Sequence, residues 1–271
     1  MTDPRLAPVP VVARFAGSLG AAVDLVAFYA GGSLGTGDYR PGISDLDLAA
    51  VVESAPDPAA EAALTRLHHD LAEADDTAAK LHCFYLPRDR LADPAEEQLN
   101  WAHGELYRRP FTVVARAELL RHGITVLGPE PGSLFAPVEA AELRAAARSE
   151  LTGFWAGAVR KPHLWLQDVY VDLGMLTVAR VEATLTEDRL ITKQEALTRL
   201  DRFGVPPGLV EEITRRRAGA AVVLTDAERA TRAEVARTIV AHAIDTLGSG
   251  TAGQCPAGPS RCAATSAGPA G

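Results

Sequence analysis

Short apolar runs alternate with amphipathic segments along the first half of the chain. Helices are predicted over residues 57–73, 94–107 and 117–122. Strands are predicted where apolar and β-branched residues are bounded by glycine, proline or polar residues, over 23–29, 43–53, 81–86 and 123–129. Strands and helices that alternate in this way are typical of an α/β domain.

The second half of the chain shows a different pattern. Helices are predicted over 140–155, 169–185, 193–203 and 226–247, and the change falls near residue 137, inside the proline-rich stretch 129–137. We therefore predict an α+β fold class, with an α/β domain at residues 1–137 and an all-helical domain at residues 138–247. Residues 248–271 are rich in Gly, Ala, Ser, Pro and Thr and are predicted to be disordered, because they lack the apolar surface that offsets ordering entropy.

Composition narrows the class of protein. The 271 residues carry 27 Lys+Arg against 35 Asp+Glu, a formal net charge of −8, which argues against a protein that binds nucleic acid phosphates. Three cysteines do not form a disulfide framework. No run of 18 apolar residues and no secretory signal is present, so we expect a cytoplasmic protein that does not span a membrane. We also expect it to be a monomer.

One segment combines groups that suit phosphate chemistry. Gly32 and Ser33 lie in a glycine-rich loop after a predicted strand, and Asp45 and Asp47 follow after eleven intervening residues. Carboxylates two apart on a strand project from one face, and their repulsion is relieved by a cation. Mg²⁺ accepts one or two carboxylates and completes its shell with water and phosphates. A glycine loop and a serine hydroxyl add phosphate donors, so this segment predicts metal-assisted phosphoryl or nucleotidyl transfer.

The segment resembles the signature of the polymerase-beta-like nucleotidyltransferase superfamily. That family places a Gly-Ser at a helix start and two acids on the next strand of a mixed sheet. The resemblance implies that Gly32 and Ser33 contact nucleotide phosphates and that Asp45 and Asp47 hold Mg²⁺.

The second half looks like that of the streptomycin/spectinomycin-type aminoglycoside adenylyltransferases. The segments that carry this resemblance are the link around residues 127–138 and the elements 176–180 and 191–193. In that family an arginine and a lysine from these elements reach the ATP phosphates, which implies the same role for Arg180 and Lys193.

The acceptor pocket of that family uses tryptophans and acids. The resemblance implies that Trp101 and Trp155 are these tryptophans and that the acid is Asp168 or Asp172. Packing of Trp155 in the core and of Trp101 against the domain link explains the two tryptophans equally well. A cationic sugar ring does favour an aromatic face beside carboxylates.

The predicted strand 81–86 departs from the family pattern. A third carboxylate usually lies on this strand and acts as the base on the acceptor hydroxyl, but no acid is present here. His82 is a candidate base, since the pKa of histidine suits that role. It is equally explained as a hydrogen-bonded partner of Asp47 with no catalytic duty.

The sequence thus predicts an enzyme that transfers AMP from ATP, with Mg²⁺, to a hydroxyl of a small polar, aminoglycoside-like acceptor. One alternative is a nucleotide-binding protein with a degenerate site, which the missing third acid favours. Another is a transferase that adenylylates a protein, although such enzymes are usually compact single domains. A tRNA- or polymer-modifying transferase is disfavoured by the net charge of −8.

Overall fold

The fold is described from a computed structural model, which covers residues 3–93 and 95–249. The predicted disordered tail lies outside the described residues from position 250 onward. Within the described part, no helix is both long enough and apolar enough to cross a membrane.

A six-stranded mixed sheet forms the centre of the first half, with strand order β5-β4-β3-β2-β1-β6. Its strands are β1 (Leu25–Ala30), β2 (Leu46–Val52), β3 (Leu81–Pro87), β4 (Glu97–Ala102), β5 (Glu105–Pro110) and β6 (Ile124–Leu127). β2 and β3 pair in parallel, with Asp47 opposite His82, and the other neighbours are antiparallel. The parallel pair therefore carries the two predicted site residues at one register position.

Helices surround the sheet and form most of the second half. They are α1 (Pro10–Leu19), α2 (Gly32–Thr36), α3 (Pro58–Ala74), α4 (Val113–His122), α5 (Ala140–Glu150), α6 (Ala156–Val159), α7 (Asp168–Glu187), α8 (Lys193–Leu197), α9 (Pro207–Arg217) and α10 (Asp226–Leu247). A short π-helical turn, Leu151–Trp155, joins α5 to α6. A mixed sheet followed by a helical part confirms the predicted α+β fold class.

The two faces of β2 contact different neighbours because successive side chains point to opposite sides of a strand. Leu46 and Leu48 pack in a core that contains residues of α1 and α3. Ala49 and Val51 point the other way, into a smaller core with Leu119 of α4. Asp47 belongs to this second face, so it lies on the side of the sheet covered by α4 and not on the side covered by α1 and α3.

The prediction of a helix over residues 94–107 is wrong. Described residues in this segment form a hairpin of β4 and β5, joined by His103 and Gly104. Both turn residues have positive φ, 56° and 85°, which is the conformation that a two-residue hairpin turn requires. Residues 98–102 of β4 are all buried, and the strand pairs antiparallel with β3 instead of following a helical period.

The helical half has its own apolar core, centred on α7 and α10. Trp155, Trp165 and Met175 are buried there, and the Trp165 indole N–H donates to the carbonyl of Ala158 at 3.0 Å. This core is separate from the two cores of the sheet, so the second half buries its own apolar faces.

A substitution of Val51 tests the packing on the face of the sheet that carries Asp47. Val51→Ala removes two methyl groups from a fully buried position, and we expect it to lower the free energy of unfolding by about 2–3 kcal/mol. The matched control is Val223→Ala, since Val223 is 91% exposed and its loss should cost less than about 0.5 kcal/mol. Urea denaturation measures both, and equal effects would contradict the described core.

Candidate active site

The loop between β1 and α2 lies directly against the side chain of Asp47. The Gly31 N–H donates to the Asp47 carbonyl at 2.8 Å. Gly32 has a φ of 53°, and a Cβ at that position would overlap the Asp47 carboxylate, 2.8 Å from its Cγ. Only glycine fits this approach without strain, so the position of the carboxylate and the identity of residue 32 are linked.

The surroundings of Asp47 raise the pKa of its carboxyl group. Its side chain opens to a cleft, but the surrounding protein removes bulk solvent and raises the pKa of Asp47 to about 6, with further contributions from the charges of Glu118 and Asp45. Lys193 and Arg109 act in the opposite direction. The cleft therefore brings three carboxylates and two cations close enough to influence one another.

Asp45 precedes β2 and is about half exposed. Its carboxylate lies 3.8 Å from the Nζ of Lys80. At this exposure the pair contributes little to stability, so Asp45 can exchange Lys80 for another cation at small cost.

A cavity of about 280 Å³ lies between the sheet and the helical part, and we call it the polar cavity. It brings together the six residues predicted to hold nucleotide and metal: Gly32, Ser33, Asp45, Asp47, Arg180 and Lys193. These residues come from α2, the start of β2, α7 and α8. Their assembly around one cavity is the main structural finding about the site.

Arg180 and Lys193 are positioned by the segment that precedes α8. The Arg180 guanidinium donates through Nε to the carbonyl of Ile191 at 3.1 Å and forms an ion pair with Glu118. Lys193 opens α8, which Thr192 caps by accepting from the Glu195 N–H at 3.0 Å. Arg180 is therefore already engaged by a carboxylate, whereas Lys193 is exposed to the cavity.

Asp38 ties the loop after α2 to the helical half. One of its carboxylate oxygens accepts from the backbone N–H of Gln194 and from the Arg217 guanidinium, each at 3.0 Å. Arg40 in turn donates to the Arg217 carbonyl at 3.2 Å. These contacts hold α8 and α9 beside the loop that follows α2, and Arg217 lines the polar cavity.

A second, smaller cavity of about 160 Å³ meets the polar cavity at Gly32, Asp47 and Glu118. We call it the aromatic cavity, since Phe84 and Phe111 line it together with His82 and Arg109. Burial lowers the pKa of His82, although the charge of Asp45 opposes this. The imidazole is therefore neutral at pH 7 and able to accept a proton.

The two tryptophans predicted to contact an acceptor are core residues. Trp101 is 4% exposed and stacks on His68, with ring centroids 4.3 Å apart, on the face of the sheet opposite Asp47. Trp155 is 3% exposed and packs against Trp165. Neither lines the polar or the aromatic cavity.

The two predicted acceptor-binding acids are engaged by arginines of the helical half. Asp172 receives Arg216 of α9 through two nitrogens, at 2.5 and 2.9 Å. Asp168 pairs with Arg232 of α10 at 2.6 Å. Neither acid lines either cavity, so the structure gives no support to the acceptor-binding role predicted for them.

Reasoning from sequence missed four charged residues that line the cavities: Asp38, Arg109, Glu118 and Arg217. They lie after α2, on β5, on α4 and at the end of α9, and none was part of a predicted site motif. A hairpin turn predicted at His103 and Gly104 would have indicated β5, the strand that carries Arg109.

The acids of the cleft suit Mg²⁺, which takes only part of its ligands from the protein, better than a metal ion whose ligands are all side chains. Among the described residues, no group of three or more His, Cys, Asp and Glu side chains is arranged to hold a metal ion. Asp45 and Asp47 provide two hard oxygen ligands beside a cavity lined by cations. That donor set fits a hydrated Mg²⁺ whose remaining ligands are water and phosphate oxygens.

Comparison with known proteins establishes the fold. No protein-family model matches the chain, and no curated protein matches its sequence. The structure is similar to that of spectinomycin adenyltransferase AAD(9) from Enterococcus faecialis, which was determined with ATP and spectinomycin. The TM-score is 0.64, the identity is 14%, and the match covers 89% of this chain and all of that one.

The pKa of Asp47 generates a prediction about stability. Because this pKa is about 6 in the folded protein against an ordinary 3.8, the folded state holds a proton between about pH 4 and pH 6 that the unfolded state releases. The free energy of unfolding should therefore fall as pH rises through this window. Asp47→Asn removes that contribution, so the difference between variant and wild type in urea denaturation should grow from pH 4 to 6.5. A difference that stays constant with pH would contradict the shift.

Proposed function

We propose that this protein is a nucleotidyltransferase that transfers AMP from ATP to a hydroxyl group of a small molecule. The observation that carries the proposal is the assembly of Gly32, Ser33, Asp45, Asp47, Arg180 and Lys193 around one cavity. Two acids and two cations at a glycine loop suit a magnesium nucleotide better than any uncharged ligand.

The triphosphate is held by groups on both sides of the polar cavity. Ser33 donates its hydroxyl from α2, and Lys193 supplies a cation from α8. Arg180 reaches the phosphates once they displace Glu118 from its guanidinium, since both anions compete for the same donors. The two halves of the protein thus close on one nucleotide.

Asp45 and Asp47 are the residues that would hold Mg²⁺. When bound, the ion neutralises charge on the phosphates and stabilises the charge that develops during transfer. Deprotonation of Asp47 precedes cation binding, and Lys193 favours the deprotonated form.

His82 is the proposed proton acceptor. It lies opposite Asp47 across β2 and β3 and lines the neighbouring cavity. The acceptor oxygen attacks the α-phosphorus, its proton passes to the imidazole, and the bond to pyrophosphate breaks. A lowered pKa keeps the imidazole neutral before this step and makes it a weak base.

The structural likeness to an adenyltransferase determined with ATP and spectinomycin supports this class of reaction. A nucleotide-binding protein without turnover is the second candidate. The observation that favours it is that β3 presents His82, and not a carboxylate, at this position.

Asp45→Asn and Asp47→Asn test the transfer reaction. Each removes a proposed magnesium ligand, so pyrophosphate release from ATP in the presence of an acceptor should fall at least about 100-fold. Circular dichroism provides the control for folding. Wild type that binds ATP with Mg²⁺ but releases no pyrophosphate with any hydroxylated acceptor would favour the second candidate. Full activity in both variants would overturn the site.

Lys193→Ala tests the contribution of α8 to nucleotide binding. Loss of one charge-assisted contact should weaken ATP binding about 10- to 100-fold in calorimetry. Lys161→Ala is the matched control, because Lys161 is also an exposed lysine of the helical half but lies outside both cavities. Equal affinities of the two variants would remove Lys193 from the site.

A further inference from the structure

The aromatic cavity is placed to receive the acceptor of the proposed reaction. It shares Asp47 with the polar cavity and is lined by the proposed base, His82. A hydroxyl directed toward these two residues would lie beside the phosphates. This inference rests on the proposed function, but the binding experiments below test it separately.

The size of the cavity limits what it holds. Its volume is about 160 Å³, and an engineered apolar cavity of about 150 Å³ is known to hold benzene. Sites for drug-sized ligands are about 300–1,000 Å³. The aromatic cavity therefore takes a single ring, and a saccharide of several rings would not fit inside it.

The lining favours a flat apolar ring. The rings of Phe84 and Phe111 meet edge to face, with centroids 5.1 Å apart. Ala49 and Leu119 add further apolar surface. Aromatic rings bind such surfaces through offset or edge-to-face contacts.

Arg109 lines the cavity, and most of its guanidinium N–H groups have no hydrogen-bond acceptor among the described residues. Its guanidinium lies 4.6 Å from the centre of the Phe84 ring, and its one hydrogen bond, to the Asn100 side chain, is long at 3.4 Å. No carboxylate forms an ion pair with it in the described part of the chain. A planar guanidinium of this kind binds a carboxylate through two parallel hydrogen bonds.

On α7, the two acids predicted to bind a cationic acceptor are already paired with arginines. Val169, Leu173 and Arg180 are four and seven residues apart on α7, so they share one face of that helix. Val169 and Leu173 are exposed, whereas Asp168 and Asp172 of the same helix are paired with arginines. The face of α7 that continues from Arg180 is therefore apolar.

We propose that the aromatic cavity binds the acceptor as a hydroxylated aromatic ring that carries a carboxylate, with Arg109 as the specificity-determining residue. The carboxylate pairs with Arg109, the ring contacts Phe84 and Phe111, and the hydroxyl points toward Asp47. This acceptor class is anionic and differs from the polycationic aminoglycosides.

Three probes that differ in charge or size test the proposal. 4-Hydroxyphenylacetate and tyramine share a hydroxylated ring and differ in the sign of the side-chain charge, and spectinomycin is the larger cationic probe. Calorimetry on the full chain with Mg²⁺ and a non-hydrolysable ATP analogue should show the carboxylate bound at least about tenfold more tightly than the other two. Preference for tyramine or spectinomycin, or no binding of the carboxylate, would overturn the proposal.

Arg109→Met and Arg108→Met form a matched pair of variants. Arg108 is the adjacent residue of β5, points to the opposite face and pairs with Glu61 of α3 at 2.5 Å. We expect Arg109→Met to lose at least about tenfold in affinity for 4-hydroxyphenylacetate and Arg108→Met to retain wild-type affinity.

Binding of the ATP analogue by the same variants separates the two hypotheses. Arg109→Met should weaken nucleotide binding far less than 4-hydroxyphenylacetate binding, because Arg109 acts on the proposed metal ligand Asp47 only through its charge. A comparable loss of nucleotide affinity would mean that the aromatic cavity holds the adenine ring, and the acceptor proposal would be wrong. Failure of the wild type to bind any nucleotide would instead contradict the proposed function, while the probe preference in calorimetry would still report on the cavity.

Discussion

The close approach of Gly32 to the Asp47 carboxylate is the constraint on which the rest of the site depends. It requires a residue without a Cβ at positive φ, and it places the loop before α2 against the start of β2. Ser33 and Asp45 then lie on the same cavity because they are neighbours of the two contacting residues. A larger residue at position 32 would displace the acid or the loop, and the residues proposed to contact phosphate would move away from those proposed to hold the metal.

The two halves of the protein contribute opposite charges to the cleft. The first half contributes Asp45, Asp47 and Glu118, and burial together with repulsion from Glu118 and Asp45 raises the pKa of Asp47. The helical half contributes Arg180, Lys193 and Arg217. Asp38 fixes α8 and α9 beside the loop. Glu118 pairs with Arg180 in this structure, so the triphosphate of the proposed reaction would compete with that carboxylate for the guanidinium.

Local spacing made part of this structure predictable. Gly32, Ser33, Asp45 and Asp47 lie within 16 residues, whereas Arg180 and Lys193 were assigned by resemblance. The hairpin of β4 and β5 was missed because its signal is the positive φ at His103 and Gly104, and not an apolar period. The pairing of Asp168 and Asp172 with arginines of α9 and α10 depends on contacts over more than 40 residues, which spacing does not reveal. Glu118 and Arg109 enter the site for the same reason.

A crystal structure of the full chain with Mg²⁺ and α,β-methylene ATP tests the central claim most directly. The account predicts the triphosphate in the polar cavity, within hydrogen-bond distance of the Ser33 hydroxyl and the Lys193 ammonium. It also predicts the metal in contact with Asp45 and Asp47, and Arg180 turned from Glu118 to a phosphate. A nucleotide bound outside this cavity, or a triphosphate that leaves both aspartates without a metal, would contradict it.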